Sequence, residues 1–227
     1  MLNNIGVPTI KVVAHTECLL LLEDLLASET CRLGIEKDMS DVNSIRMIAR
    51  WFKQLHTNGQ QYEGLPQLNL QDDVPAVLGH ERIITAMEKS KTGGNPFWPL
   101  LLNNAEHIKT TYQRLCNTIT YNDFGWDNMA VAKDGSAAIM FDYNCVFRKY
   151  AYADIRHILS VIPDEAGAAF MDEYGGYDAY EKTFEEMYFP VSGVIDALNL
   201  DVCPPWADKF LTMLHSGELM RRLAHVL

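Results

Sequence analysis

Two short apolar runs, Thr9 to Ala14 and Cys18 to Leu22, flank His15-Thr16-Glu17 near the start of the chain and predict a β-hairpin. After Ser40 the period changes to a helical one. Ile45, Ile48, Ala49, Phe52 and Leu55 recur on one face, with Ser40 as the expected cap, Asp41 in the first turn and His56 at the end. His56 reads as a packed helix-end residue. Gly59, Gly64 and Pro66 then punctuate a loop. Arg82 to Lys89 predict a second helix. A third follows Asn95-Pro96 and carries Phe97, Leu100, Leu101, Ala105, Ile108, Tyr112 and Leu115 on one side, with Pro99 tolerated in its first turn. Met129 to Val131 and Ala137 to Phe141 bracket the turn signal Lys133-Asp134-Gly135 and predict a second hairpin. Helices are expected again after Asp154, on both sides of Gly175-Gly176, and after Pro204-Pro205 as one last helix carrying Trp206, Phe210, Leu211, Leu214 and Leu219. The fold class this predicts is α+β, mostly helical, with a short N-terminal hairpin and an internal one.

The internal hairpin draws three polar residues together. Asp123 and Asn128 precede its first strand and Asp142 follows its second, so an acid, an amide and a second acid meet at one mouth of the ribbon. Phosphoryl transfer from ATP asks for that set: a carboxylate to accept the hydroxyl proton, and oxygen ligands that hold magnesium on the phosphates. Asp123 is the expected base, and Asn128 and Asp142 are the expected metal ligands. Asp and Asn are also common turn residues, so the reading rests on the three positions together. The spacing Asp-x-x-x-x-Asn, followed by an apolar strand ending in Asp, matches a kinase catalytic loop and its metal-binding acid.

Tyr-Asn-Asp-Phe-Gly-Trp-Asp-Asn (121–128), Ile-Met-Phe-Asp-Tyr-Asn (139–144) and Tyr-Ala-Asp-Ile-Arg (152–156) together resemble the aminoglycoside phosphotransferase and choline kinase group. The resemblance implies a protein-kinase-like fold, with ATP as co-substrate and Mg2+ as cofactor. It also implies that Glu23, Asp24 and Leu25 form the hinge that meets the adenine edge, and that Asp154 supports the catalytic loop by hydrogen bonding. Tyr121 and Asn122 depart from the usual pattern, in which His stands at the first position. The chain also contains no G-x-G-x-x-G and no V-A-I-K-like strand, the parts that clamp the phosphates in a kinase. The expectation is that residues 1–26 are a remnant of an N-terminal lobe with its hinge, and that residues 27–227 form the helical C-terminal lobe.

The chain has 227 residues, 48% of them hydrophobic and 22% charged, with a net charge of −11. The acid excess disfavours nucleic acid as a partner; it is compatible with a small cationic substrate, and equally with charge that merely keeps a cytosolic protein soluble. Acids from Asp164 to Glu186 interleave with Tyr174, Tyr177, Tyr180 and Tyr188, an arrangement that could hold an amine or simply solvate helices. Five cysteines without C-x-x-C, seven histidines without H-x-x-x-H, no apolar run long enough to span a membrane and no basic n-region at the start predict a cytoplasmic protein without a zinc site. The expected activity is phosphorylation of a hydroxyl on a small, aminoglycoside- or choline-like molecule. A non-catalytic kinase-like binding protein is the alternative, and a magnesium-dependent hydrolase is the third. A ribbon of two strands is marginal alone. The N-terminal hairpin is therefore expected to pair with a second copy, as a homodimer, or with a chain supplying the missing lobe.

Overall fold

The computed structural model describes residues 2–68, 70 and 74–227. In chain order its regular elements are β1 (Val12–His15), β2 (Leu20–Leu22), β3 (Cys31–Leu33), α1 (Val42–Gln61), α2 (Val74–Val77), α3 (His80–Ser90), α4 (Phe97–Leu115), β4 (Thr118–Thr120), β5 (Met129–Ala132), β6 (Ala138–Met140), β7 (Phe147–Lys149), α5 (Tyr152–Val161), α6 (Asp164–Tyr174), α7 (Ala179–Asn199), α8 (Asp208–His215) and α9 (Glu218–Val226). The chain forms two compact units, one of residues 1–71 and 117–177 and one of residues 72–116 and 178–227.

The first unit is built on α1. Asp41 caps this helix by accepting from the Ser44 amide at 2.8 Å. The cap is one residue later than expected, because the Ser40 hydroxyl turns back to the Lys37 carbonyl. The helix also continues past His56 to Gln61. Gly59 makes this feasible: a Cβ there would lie 2.5 Å from Thr118 Oγ1 and 2.8 Å from the Ile119 nitrogen, so the bare backbone rides directly over β4. Phe52, fully buried, is the hub of the core, with the rings of Trp51, Tyr121, Phe124 and Phe170 arranged around it edge-on. Along the helix, Trp51 Nε1 donates to the Pro8 carbonyl at 2.8 Å, Asn58 Nδ2 to that of Ile5 at 2.6 Å, and Gln54 to that of Gly6, which fastens the N-terminal stretch to α1.

Beyond that stretch β1 and β2 pair antiparallel, with Val12 opposite Leu22, His15 opposite Leu20 and an irregularity between Val12 and Ala14. Every residue of both strands is exposed. The internal hairpin forms as expected, with Met129 opposite Met140 and Val131 opposite Ala138. A third strand, β3, joins β5 with Cys31 opposite Ala132 and Leu33 opposite Ala130. At its end the Gly34 amide donates to the Met129 carbonyl, and a Cβ at Gly34 would stand 2.3 Å from the Trp126 carbonyl oxygen and 2.6 Å from Met129 Cγ. Buried Asp38 ties this corner to α1. It accepts two bonds of 2.7 Å from the Arg32 guanidinium, one from the Ile35 amide and one from the Ser44 hydroxyl. The hydrogen bonds from Arg32 hold the Asp38 carboxyl below the usual carboxylate range.

The second unit is helical. α7 crosses α3, α8 and α9, and Phe184 and Tyr188 on it stack at 5.9 Å and meet Tyr112 of α4. Arg82 Nη2 pairs with Asp196 at 2.6 Å, and Asn199 Nδ2 donates to the Arg82 carbonyl. The single last helix expected after Pro204-Pro205 is instead two, α8 and α9, broken at Gly217, whose φ is 74°. The acidic, tyrosine-bearing stretch does not present its aromatic residues alike. Tyr174 and Tyr188 are buried, while Tyr177 and Tyr180 are exposed. Among the described residues no helix is long and apolar enough to cross a membrane.

Candidate active site

The loop from Tyr121 to Asn128 leaves β4, a buried strand paired with β7 through Thr118 opposite Lys149 and Thr120 opposite Phe147. Asp154, in the first turn of α5 and 1% exposed, fixes the loop at its root. Its two carboxylate oxygens accept from the Tyr121 amide at 2.8 Å and the Asn122 amide at 2.7 Å. Asn122 is left-handed, with φ 62°. Asn tolerates this conformation better than most residues. Its side chain secures the turn by donating to Thr120 Oγ1 at 2.8 Å and to the Cys145 carbonyl at 3.1 Å. The chain direction changes there, and Asp123 is the next residue.

Asp123, Asn128 and Asp142 lie at the same end of the β5–β6 ribbon. Asn128 Nδ2 donates to Asp123 Oδ2 at 2.7 Å and to the Asp123 carbonyl at 3.0 Å. The Asn128 carbonyl accepts from the Phe141 amide at 2.9 Å, which places the start of β5 beside the residue before Asp142. Asp142 is exposed and left-handed, with φ 60°, and one of its oxygens accepts from the Asn144 amide group. Tyr121 spans the interval. Its backbone is held by Asp154, and its hydroxyl donates to the Phe141 carbonyl. Burial pushes the Tyr121 hydroxyl up first, and the negative charges of Asp123 and Asp142 add to it. The Cys145 thiol is raised by burial and by the same two acids.

The donor set suits a hard divalent cation. Asn128 commits its amide nitrogen to Asp123, and its amide oxygen accepts no hydrogen bond among the described residues. Asp142 keeps Oδ2 and Asp123 keeps Oδ1 in the same condition. Among the described residues no three His, Cys, Asp or Glu side chains gather into a metal cluster. One or two carboxylates with an amide is the set magnesium takes when phosphates complete its shell.

Glu23, Asp24 and Leu25 lie elsewhere, in the turn after β2. The Glu23 amide donates to the Lys11 carbonyl and its carboxylate accepts from Ser28 Oγ at 2.6 Å. Asp24 Oδ1 accepts from the Leu26 amide at 2.9 Å. A cavity of about 500 Å3 lies between the N-terminal ribbon and the internal one, lined by Ile10, Val12, Leu20, Leu22, Phe141 and Asp142 among others. Asp142 reaches it. Glu23, Asp24 and Leu25 do not line it. Sequence reasoning missed the bridging hydroxyl of Tyr121 and the buried contact of His56 Nε2 with Asp154 at 2.9 Å. Neither has a local signal, because both partners come from distant parts of the chain.

Neither a family model nor a curated protein matches the sequence. Solved structures do resemble the fold. A choline/ethanolamine kinase family protein from Mesorhizobium loti superposes with a TM-score of 0.58 at 12% identity, over 99% of this chain and 80% of that one. An ethanolamine kinase from Plasmodium vivax superposes with a TM-score of 0.50 at 12% identity, over 97% and 72%. From β1 to α9, then, this chain has the fold of the choline/ethanolamine kinases.

Proposed function

We propose that the protein is an ATP-dependent phosphotransferase that acts on a hydroxyl of a small cationic molecule, aminoglycoside- or choline-like. Asp123 is the base, and Asn128 and Asp142 hold Mg2+. The observation that carries this reading is the bond of 2.7 Å from Asn128 Nδ2 to Asp123 Oδ2, which leaves the Asn128 amide oxygen for a cation and one Asp123 oxygen for a substrate proton. In such a site magnesium neutralises charge on the transferred phosphoryl group. The chain's own residues orient the acceptor hydroxyl at Asp123 and hold Asp142 at the ribbon end. The apolar cavity that ends at Asp142 suits a nucleotide base with its phosphates directed toward that acid. The Asp24 and Leu25 amides make no hydrogen bond among the described residues; they follow Leu22, which lines the cavity, and would meet the adenine edge at its rim rather than within it. On this reading residues 1–26 belong to an N-terminal lobe and its hinge and 27–227 form the C-terminal lobe, and the exposed β1–β2 ribbon docks a second copy or a separate chain.

A second reading is a non-catalytic protein that binds a ligand through the same cleft. Magnesium-dependent ATP turnover, measured with and without amine-bearing alcohols, separates the two. Phosphorylated alcohol in stoichiometric balance with ADP is the expected result. Nucleotide binding without turnover would establish the second reading, and ATP loss independent of alcohol would point to hydrolysis.

A further inference from the structure

The loop that carries Asp123 is held from beneath by a buried polar chain. Tyr174, at the end of α6, places its hydroxyl 2.7 Å from Nδ1 of His56 on α1. Nε2 of the same ring lies 2.9 Å from Asp154 Oδ2, the oxygen that also accepts from the Tyr121 amide. His56 is 2% exposed and Asp154 1%. A carboxylate without a proton can only accept, so the contact with Asp154 places a proton on Nε2 of His56; in a neutral ring Nδ1 is then the acceptor for the Tyr174 hydroxyl. A carboxylate taken out of water stays ionised only when donors surround it. Two of those donors are the loop amides of Tyr121 and Asn122; the third is His56. Without His56, Asp154 Oδ2 loses the bond that fixes its orientation. The left-handed turn at Asn122, held by its own side chain and by Asp154, is then weakened on the Asp154 side.

We propose that His56 is a positioning residue of the phosphotransfer site. It orients the Asp154 carboxylate, Tyr174 fixes its tautomer, and the oriented carboxylate sets the turn that presents Asp123. The inference rests on the reading of Asp123 as the base, but the hydrogen-bond chain can be tested apart from that reading.

Three substitutions separate orientation from packing. His56→Leu fills the space and removes the donor. His56→Gln carries an amide N–H near the Nε2 position, and His56→Asn carries one near Nδ1, short of Asp154. Amide hydrogen exchange at Tyr121 and Asn122 is expected to accelerate in the Leu and Asn variants and to return to the wild-type rate in the Gln variant. Turnover should follow the same order, with kcat falling roughly 10²-fold in Leu and Asn, KM for both substrates unmoved, and Gln recovering most of the loss. Ring nitrogen shifts of His56 should report the Nε2–H tautomer and should move in Tyr174→Phe. Wild-type exchange rates at the two amides in His56→Leu, or a Gln variant no better than Leu, would overturn the proposal. If the wild-type protein transfers no phosphoryl group, the reading of Asp123 fails by itself, and the exchange rates and nitrogen shifts still decide whether His56 holds the loop.

Discussion

The chain contains two antiparallel ribbons of similar length and apolar content, and the structure treats them oppositely. In β1–β2 all seven residues are exposed, from Val12 at 41% to Leu20 at 60% among the large apolar ones. In β5–β6 Met129, Ala130, Val131, Ala138 and Met140 are buried, β3 extends the sheet, and β6 lies against α1. Strand propensity is alike in the two. Cover is what differs, and cover is supplied by elements far away in sequence. A ribbon becomes a rigid platform when a third strand and a helix remove its apolar side from water. The proposed chemistry sits at the covered ribbon, where a fixed mouth holds three side chains in register.

The comparison can be broken most sharply at that mouth. Asp123→Ala is expected to lower turnover by roughly 10²–10⁴ while leaving ATP affinity nearly unchanged. Steady-state kinetics beside calorimetric nucleotide binding measure this, and an equal loss of rate and affinity would assign Asp123 to the metal or to structure. Next in size is the core of the covered ribbon. Met140→Ala should cost about 2–5 kcal/mol in denaturant unfolding, because Met140 is fully buried. A change well under 1 kcal/mol would mean that the ribbon is less enclosed than described. Asp142→Asn should weaken magnesium-dependent nucleotide binding by roughly tenfold or more, since the loss of even an outer-shell partner has that effect. A magnesium titration that overlays the wild type would remove Asp142 from the ligand set. Smallest of all is the open ribbon. Leu21→Ser, at a position 58% exposed, should move unfolding by no more than about 0.5 kcal/mol. If the ribbon docks a second copy, the same substitution should abolish any concentration-dependent mass seen by light scattering. A monomeric wild type at every concentration would retire the homodimer and leave a separate chain as the occupant.

Much of this architecture was legible because it is written in local patterns. The period of Ile45, Ile48, Ala49, Phe52 and Leu55 marks the buried face of α1, and Asp134-Gly135 marks the turn between β5 and β6. The stretch of Asp123, Asn128 and Asp142 was readable because a tight hairpin returns the chain to its starting point. Strands β3, β4 and β7 were not readable. Each is three residues long, too short for alternation to register, and each is defined by its partner: β3 by β5, β4 by β7. The end of α1 lies beyond the one its pattern predicts for a related reason. Gly59 resembles a terminator in one dimension, but its role is to let two backbones touch. His56 could be read as packed, but its link to Asp154 depends on a contact that only the folded chain makes.

Gly34 has a consequence for descent. It stands against the Trp126 carbonyl with no room for even a methyl group, so the shoulder of β3 and the loop between Asp123 and Asn128 share one boundary. Neither can drift independently. A lineage that acquires a side chain at this position must move the Trp126 carbonyl away, and Asn128 two residues later moves with it. Homologues that keep the acid–amide–acid trio should therefore keep a bare backbone at the end of β3. Those that have lost the trio are free to fill the space, so the residue at this position becomes a mark of whether the loop is still in use.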